Sequence, residues 1–228
     1  MAHTDFYQPN LVIVISGPSG SGKSTVVNAL CQADETLRLA VSATTRAPRP
    51  SEVNGVDYHF LSKSEFENQI QQDGFLEWAE YGGNFYGTLK SEIALAQNAG
   101  KAAVLEIEVQ GALQVRERIG ETSGRDTVRS LLIFIVPSSF ARLEKRLRGR
   151  KTESEAELKQ RLNIATSEIA QLQHYDYCVI NRDGGIQQAV AQIQAIITAE
   201  RCRIDAGLTD RLNQRFTQDE GPPASQLR

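Results

Sequence analysis

The chain has 228 residues, of which 40% are hydrophobic and 23% are charged, with 25 basic residues against 28 acidic ones. This composition is typical of globular proteins and excludes the disordered, collagen-like and coiled-coil classes. The length predicts one domain with insertions, whose core is large enough to need no disulfides or structural metals. A net charge of −3 leaves no overall attraction to nucleic acid or to an anionic membrane, so we expect neither as a partner.

The beginning of the chain bears on localisation. Apolar runs such as Leu11–Ile15 are far shorter than the ~20 residues of a membrane helix, and the ten residues before this run lack the pattern of a signal peptide. We therefore expect a cytoplasmic chain. Its three cysteines, Cys31, Cys178 and Cys202, have no CxxC spacing and are predicted to be buried, reduced thiols.

Short apolar runs alternate with helical patterns along most of the chain. The runs predict strands buried on both faces of a parallel sheet, at Leu11–Ile15, Ala102–Glu106, Leu131–Val136 and Tyr177–Ile180. The helical patterns lie near Lys23–Gln32, Gly111–Ile119, Ser139–Arg148 and Ile186–Arg203. This alternation predicts an α/β fold with a parallel sheet flanked by helices.

Three stretches break the alternation. Residues 42–90 contain prolines, paired glycines and many aromatic residues, which predicts a small, mostly β insertion. Within it, Ser62-Lys-Ser-Glu65 is a capping-box pattern that predicts the start of a helix. Residues 142–173 predict a mobile helical hairpin, whereas 120–129 predict a polar loop and the tail from about residue 205 is expected to be frayed.

The segment from Gly17 to Ser24 matches the phosphate-loop (P-loop) motif GxxxxGK(S/T), between a predicted buried strand and a predicted helix. Its backbone N–H groups and the following helix N-terminus favour phosphate oxygens. We expect Lys23 to reach the β- and γ-phosphates of ATP and the Ser24 hydroxyl to ligate Mg²⁺. The predicted ATP-binding residues here are Gly17, Pro18, Ser19, Gly20, Ser21, Gly22, Lys23, Ser24 and Thr25. An incidental glycine-rich turn is the alternative, and the motif does not identify the phosphoryl acceptor.

The residues that follow closely resemble the signature of guanylate kinases. The matching segment is Ser42-Ala-Thr44-Thr45-Arg46-Ala-Pro-Arg49-Pro-Ser-Glu52-Val-Asn-Gly55-Val-Asp57-Tyr58-His-Phe60. Further matches follow in family order: Glu77-Trp-Ala, Asn84-Phe-Tyr86-Gly87-Thr88, Glu106-Ile-Glu108-Val-Gln-Gly111 and Arg146-Leu-Arg-Gly-Arg150. The resemblance covers about residues 10 to 200. It implies conversion of ATP and GMP to ADP and GDP with Mg²⁺ as cofactor.

The resemblance also implies a kinase of three parts, a core, an insertion and a lid, to which this chain adds two terminal segments. The predicted parts are an N-terminal extension (1–10), a core P-loop domain (11–41, 91–137 and 174–204), a GMP-binding insertion (42–90), a lid region (138–173) and a C-terminal tail (205–228). By resemblance, the GMP-binding residues are Ser42, Arg46, Arg49, Tyr58, Glu77, Tyr86, Thr88, Glu106 and Glu108. The catalytic residues are then Lys23, Arg46, Arg146, Arg150 and Arg161, and Asn181 resembles the adenine contact.

Physical chemistry makes sense of these assignments. Arg46 and Arg49 lie three positions apart in a proline-constrained loop and can direct two guanidinium groups at one phosphate. A carboxylate at Glu77 can accept two parallel hydrogen bonds from guanine N1–H and its 2-amino group. Glu106 ends a predicted strand, the usual place for an acid that supports Mg²⁺, through water in this case.

The sequence departs from the family pattern at three positions. Glu106 and Glu108 stand where the family usually or often has Asp, and Lys151 stands where it usually has Gly. No general base is required, because the acceptor is already a phosphate oxygen, so His3, His59 and His174 are interpreted as incidental.

Two other functions are alternatives to the phosphorylation of GMP. One is a catalytically inactive, peptide-binding scaffold, and the other is a kinase of the same fold with a different phosphorylated acceptor. The intact P-loop and lid arginines argue against the scaffold, and the pair Ser42 and Glu77 argues against another acceptor. The sequence leaves open whether the chain is a monomer or a homo-oligomer.

Overall fold

The computed structural model describes residues 11–120, 128–148 and 155–204. In chain order the elements are β1 (Leu11–Ser16), α1 (Lys23–Ala33), β2 (Leu37–Leu39), β3 (Ala43–Thr44), β4 (His59–Phe60), α2 (Lys63–Gln71), β5 (Phe75–Tyr81), β6 (Asn84–Leu89), α3 (Lys90–Asn98), β7 (Ala102–Glu106), α4 (Val109–Gly120), β8 (Arg129–Pro137), α5 (Phe140–Arg148), α6 (Glu155–Ile169), β9 (Tyr177–Asn181) and α7 (Ile186–Arg201). A single 3₁₀ turn, Leu172–His174, precedes β9.

A five-stranded parallel sheet forms the core, in the order β2-β7-β1-β8-β9. Every residue of β1 is buried, as expected for a central strand covered by helices on both faces. Its odd-numbered side chains pack with α1 and α7, whereas Val12 and Val14 pack with α3 and α4. The predicted α/β fold and its four core strands are confirmed.

Two core elements were not predicted from the sequence. The edge strand β2 has only three residues, too few for a periodic pattern, and α3 follows the insertion directly. Gly120 ends α4 and Arg129 begins β8, and residues 121–127 of the predicted polar loop lie outside the described part of the chain. The tail from residue 205 also lies outside it.

The insertion is a small sheet in the order β4-β3-β6-β5, with α2 packed on it. Ser62 and Glu65 form the predicted capping box at the start of α2. Phe66 of α2 stacks on Phe75 of β5, with ring centroids 4.2 Å apart. The prediction of a mostly β insertion containing one helix is therefore confirmed.

The lid region contains the predicted pair of helices. α5 and α6 pack through Leu143, Leu147 and Leu158, while residues 149–154 between them lie outside the described residues. The predicted mobility of this hairpin stays a prediction. No helix in the described ranges is long and apolar enough to cross a membrane.

The cysteines are free, but their predicted burial is wrong for two of them. Cys31 is partly buried, and burial raises the pKa of its thiol to about 11. Cys178 is exposed because it lies on β9 at the edge of the sheet, and Cys202 is exposed because it follows the end of α7.

Candidate active site

The P-loop connects β1 to α1 and passes directly against β8. Gly17 has φ 141°, and a Cβ there would lie 2.1 Å from the backbone oxygen of Ile135. Gly22 caps α1 with φ 88°, in the left-handed region that glycine adopts without strain. Only glycine allows this path, which brings the loop backbone to the positive end of α1, where anions are favoured.

Three polar residues meet at this loop as predicted. Lys23 is 8% exposed, and its Nζ donates to the backbone oxygen of Gly17 at 2.5 Å. Ser24 Oγ donates to Glu106 Oε1 at 2.5 Å, which joins the start of α1 to the carboxyl end of β7. Burial raises the pKa of Glu106, while its bond from Ser24 and the charge of Lys23 lower it. A hydroxyl and a carboxylate oxygen therefore lie together beside the P-loop.

Two more carboxyl groups lie close to the P-loop. Glu108 Oε1 is 3.8 Å from Lys23 Nζ, so its described ion pair is with the loop lysine. Glu168 of α6 lies beside the Glu108 carboxylate and the backbone N–H of Ser19. Burial, and then the charge of Glu108, raise the pKa of Glu168 to about 7. The lid helix therefore contributes an acid whose charge changes near neutral pH.

This acid gives a prediction on stability. Since the pKa of Glu168 is raised in the folded state, the stabilisation linked to its proton is fully present below its unfolded pKa and is lost as pH rises through about 7. We expect the Tm of the free protein to fall by about 2–4 °C between about pH 6 and about pH 8, the shift that about 1 kcal/mol causes in a domain of this size. Glu168→Gln should remove most of this fall, and Glu157→Gln, at an exposed position of the same helix, should not. An identical pH profile for all three proteins, measured by thermal unfolding, contradicts the expectation.

The predicted phosphate-binding residues surround an additional acid, Glu52. Arg46 donates to both of its carboxylate oxygens, at 2.8 and 3.0 Å, and the side chain of Arg49 approaches it to 3.8 Å. The guanidinium of Arg46 lies 5.5 Å from the Tyr58 ring centroid, and the rings of Tyr58 and Tyr86 are 6.2 Å apart. The Arg46 hydrogen bonds hold the pKa of Glu52 below its usual range. Arg46 and Arg49 thus both lie against the Glu52 carboxylate, and the two tyrosine rings lie together beside Arg46.

The predicted base-reading residues lie on neighbouring strands of the small sheet. Glu77 of β5 is 3% exposed, and Thr88 of β6 donates to its Oε1 at 2.7 Å. Ser42 precedes Ala43, which pairs with Gly87 of β6. Burial raises the pKa of Glu77, and the hydrogen bond from Thr88 opposes this effect. Strand register therefore pairs Glu77 of β5 with Thr88 of β6, and Ser42 lies immediately before β3, on the other side of β6.

The lid and β9 contribute residues that contact the P-loop itself. Arg146 donates to the backbone oxygen of Ser21 at 3.1 Å, and the amide of Asn181 donates to the same oxygen at 2.8 Å. Both side chains therefore support the loop in this structure, and the adenine contact of Asn181 stays a prediction. Arg161 lies on α6, whereas Arg150 lies outside the described residues.

A buried acid that sequence reasoning missed joins the insertion to the core. Glu92 of α3 accepts from Arg38 of β2 at 3.2 Å and from the backbone N–H of Val41 at 3.1 Å. It also lies 3.0 Å from His59 Nε2. His59 is therefore not incidental, because it links β4 of the insertion to the core. The role of Glu92 could not be predicted, because a single glutamate in a helix belongs to no recognisable motif. Glu52, in contrast, lies within the segment that matches the family.

Comparisons with known proteins find relatives that match almost the whole chain. The family model described as guanylate kinase matches residues 10–200. A guanylate kinase from Halalkalibacterium halodurans is 44% identical over 211 residues, which cover 92% of this chain and 96% of that one. One from Caldanaerobacter subterraneus subsp. tengcongensis is 45% identical over 195 residues, covering 86% and 90%. Among solved structures, the guanylate kinase of Anaplasma phagocytophilum is similar with a TM-score of 0.69 and 32% identity, covering 90% of this chain and 95% of that one.

Proposed function

The chain belongs to the guanylate kinase family, and we propose that it forms its active site from the P-loop and the β3–β6 insertion. The reaction is ATP-dependent phosphorylation of GMP to GDP. The observation that carries the site assignment is the insertion sheet, which has a convergent pair of arginines at one place and a buried carboxylate at another. GMP carries a phosphate at one end, which arginines can bind, and guanine at the other, whose N–H groups can donate to a carboxylate.

In this proposal the arginine cluster binds the phosphate of GMP. The phosphate takes the place that the Glu52 carboxylate holds between Arg46 and Arg49, with hydroxyl donors from Tyr58 and Tyr86. Two guanidinium groups suit this role because each can donate two parallel hydrogen bonds to phosphate oxygens. Glu52 keeps the arginines oriented before substrate binds, which lowers the entropic cost of binding.

The buried carboxylate distinguishes guanine from adenine. Glu77 accepts from guanine N1–H and the 2-amino group, while Thr88 holds its other lone pairs and the Ser42 hydroxyl donates to O6. Adenine has an acceptor at N1 and no 2-amino group, so it would leave the carboxylate unpaired. An unpaired buried charge is costly, and this cost is the basis of selectivity. Glu108, which follows β7 in the chain, is the last of the residues that this proposal assigns to GMP.

The site for ATP, the phosphoryl donor, would be formed by the P-loop, the lid and a bound metal ion. Ser24 and Glu106 present a hydroxyl and a carboxylate oxygen together, a ligand set that suits Mg²⁺ bound mainly through phosphates and water. They would hold the ion, which neutralises charge on the β- and γ-phosphate oxygens when bound. Lys23 turns from the loop carbonyl oxygens to the phosphates, and Arg146, Arg150 and Arg161 add positive charge from the lid.

Catalysis then consists of positioning and charge stabilisation. The attacking atom is an oxygen of the GMP phosphate, which is already anionic, so no side chain has to remove a proton. The new bond forms between this oxygen and the γ-phosphorus of ATP, and the bond from that phosphorus to the β,γ-bridging oxygen breaks. Arg46 orients the acceptor, and Lys23 stabilises the charge that moves between the two nucleotides.

The phosphate-binding role is tested by Arg46→Lys. Lysine keeps the charge but cannot form the bidentate contact, so we expect the KM for GMP to rise at least about tenfold, the effect of about 1.4 kcal/mol. The KM for ATP should not change. Arg203→Lys, at an exposed site near the end of α7, is the matched control. Coupled assays of ADP release give both constants, and an unchanged KM for GMP rejects the assignment of Arg46.

The same assay with GMP, AMP and CMP as acceptors tests the function as a whole. Release of ADP only with GMP, and its loss on chelation of Mg²⁺, is the expected result. No turnover with any acceptor favours an inactive scaffold, and turnover without preference for GMP favours a kinase with another acceptor.

A further inference from the structure

One face of α4 contacts the strand that carries Glu77. The residues of this face are Gly111, Gln114 and Arg118, whose i, i+3, i+7 spacing brings them to the same side of the helix. β5 is the outer strand of the insertion sheet, so one row of its backbone groups has no strand partner. α4 lies along that row and supplies side chains in place of a fifth strand.

Gln114 is the main contact between this face and β5. Its Nε2 donates to the backbone oxygen of Trp78 at 2.8 Å, and its Oε1 accepts from the Trp78 N–H at 3.2 Å. A side-chain amide thus pairs with Trp78 as the residue of a neighbouring strand would. Arg118 donates to the backbone oxygen of Phe75 at 2.7 Å. The two contacts hold β5 at Trp78, one residue after Glu77, and at Phe75, two residues before it.

The ladder between β5 and β6 is irregular at this position. The pairing of β5 with β6 shifts register between Phe75 and Glu77, so the ladder is interrupted immediately before the carboxylate-bearing residue. Such bulges redirect a side chain and loosen the local backbone. Contacts from α4 on both sides of the irregularity replace the restraint that the ladder does not provide there.

Gly111 sets how close the carboxylate can lie to α4. A Cβ at this position would be 2.4 Å from Glu77 Oε2 and 3.1 Å from its Cδ, far inside van der Waals contact. The carboxylate therefore occupies the space that any other residue would fill. Gly111 is in the first turn of α4, whose positive end favours a negative group beside it. Because Gly111 has no side chain, the Glu77 carboxylate can lie against the first turn of α4, where its negative charge is favoured.

We propose that the face of α4 formed by Gly111, Gln114 and Arg118 positions the Glu77 carboxylate for guanine and thereby sets the specificity of the site for the base. The proposal rests on the base-reading role of Glu77 in the proposed function. The three are positioning residues, because in the structure they act on Glu77 or on its strand. The same helix follows Glu106 and Glu108 directly, so the base-binding carboxylate and the P-loop acids are held by one continuous segment.

The test compares the ratio of kcat/KM for GMP to kcat/KM for AMP among variants that share a stable fold. Gly111→Ala adds one methyl group against the carboxylate, and Gln114→Leu removes both hydrogen bonds at nearly constant size. We expect each to lower the ratio at least about tenfold, with the KM for ATP unchanged. Glu117→Gln, at an exposed position on another side of α4, is the control and should keep the ratio. Thermal unfolding shows that each variant is folded, and Gln114→Leu serves alone if Gly111→Ala does not fold.

A double-variant cycle separates failure of this inference from failure of the proposed function. If Gly111 acts through Glu77, then adding Gly111→Ala to Glu77→Gln should lower the ratio no further, because the group that it displaces is already altered. An equal loss in both backgrounds, or no loss from either α4 variant while Glu77→Gln does lose discrimination, overturns the positioning role alone. Unchanged discrimination in Glu77→Gln itself overturns the base-reading role and the inference with it.

Discussion

Replacement of Lys23 by alanine is expected to lower kcat by about 10³-fold or more, because the P-loop lysine stabilises charge on the transferring phosphoryl group. In the free protein this lysine is held by the backbone oxygens of Gly17 and Pro18. The ammonium group is therefore kept at the loop until substrate binds, and alanine removes the charge without leaving a large gap in the apolar core. Coupled measurement of ADP release at saturating ATP and GMP gives kcat.

Two controls keep this result interpretable. Lys23→Met retains the apolar stem, so it should lose as much activity as Lys23→Ala while keeping the loop packed. Lys63→Ala, at a side chain that is 72% exposed on α2, should retain normal activity. Normal turnover by soluble, folded Lys23→Ala protein would exclude the P-loop as the phosphoryl-donor site.

The second large effect is expected for Glu77→Gln. The substitution puts an NH₂ donor where guanine offers donors, so one hydrogen bond is lost and a repulsive contact is formed. Hydrogen bonds to buried charged groups are worth about 1.5–3 kcal/mol, so kcat/KM for GMP should fall at least about tenfold. AMP should be affected less, since its N1 acceptor can bind the new amide, and discrimination between GMP and AMP should narrow. The KM for ATP should stay almost the same.

The structure supplies the matched control and a check on folding. Glu80→Gln lies on the same strand at an exposed position and should leave discrimination intact. Because burial raises the pKa of Glu77, its charge is unfavourable to the free folded protein at neutral pH, and Glu77→Gln should not lower Tm there. If Glu77→Gln lowers kcat/KM for GMP and for AMP equally, then Glu77 supports the fold of the insertion and does not read the base.

Local patterns were enough to predict the core and the P-loop. β1 and α1 are each built from contiguous residues, and the loop between them needs only glycines, a lysine and a hydroxyl at fixed spacing. Short apolar runs likewise located β7, β8 and β9 to within two residues. The edge strand β2 was not predicted, because its three residues are too few to form a recognisable pattern.

The resemblance located a candidate acceptor site, but not how its residues are held. It assigned Arg46, Glu77 and Thr88 to one site, and the structure pairs Glu77 with Thr88 through strand register and a hydrogen bond. It assigned Glu108 to guanine, whereas its described ion pair is with Lys23. The contact of Asn181 with the P-loop could not be inferred, because a side chain 160 positions away meets Ser21 only after the sheet has formed.

The sequence by itself determined the fold class, the P-loop and the family, because each depends on residues that are neighbours in the chain or follow a family order. Only the tertiary structure decided what holds the Glu77 carboxylate. Gln114 pairs with a backbone 36 positions earlier, and Gly111 is required because Glu77 fills the space beside it. Such contacts join separate elements, so neither periodicity nor spacing along the chain contains them. A glycine within a helical pattern shows its purpose only when the group lying against it is known.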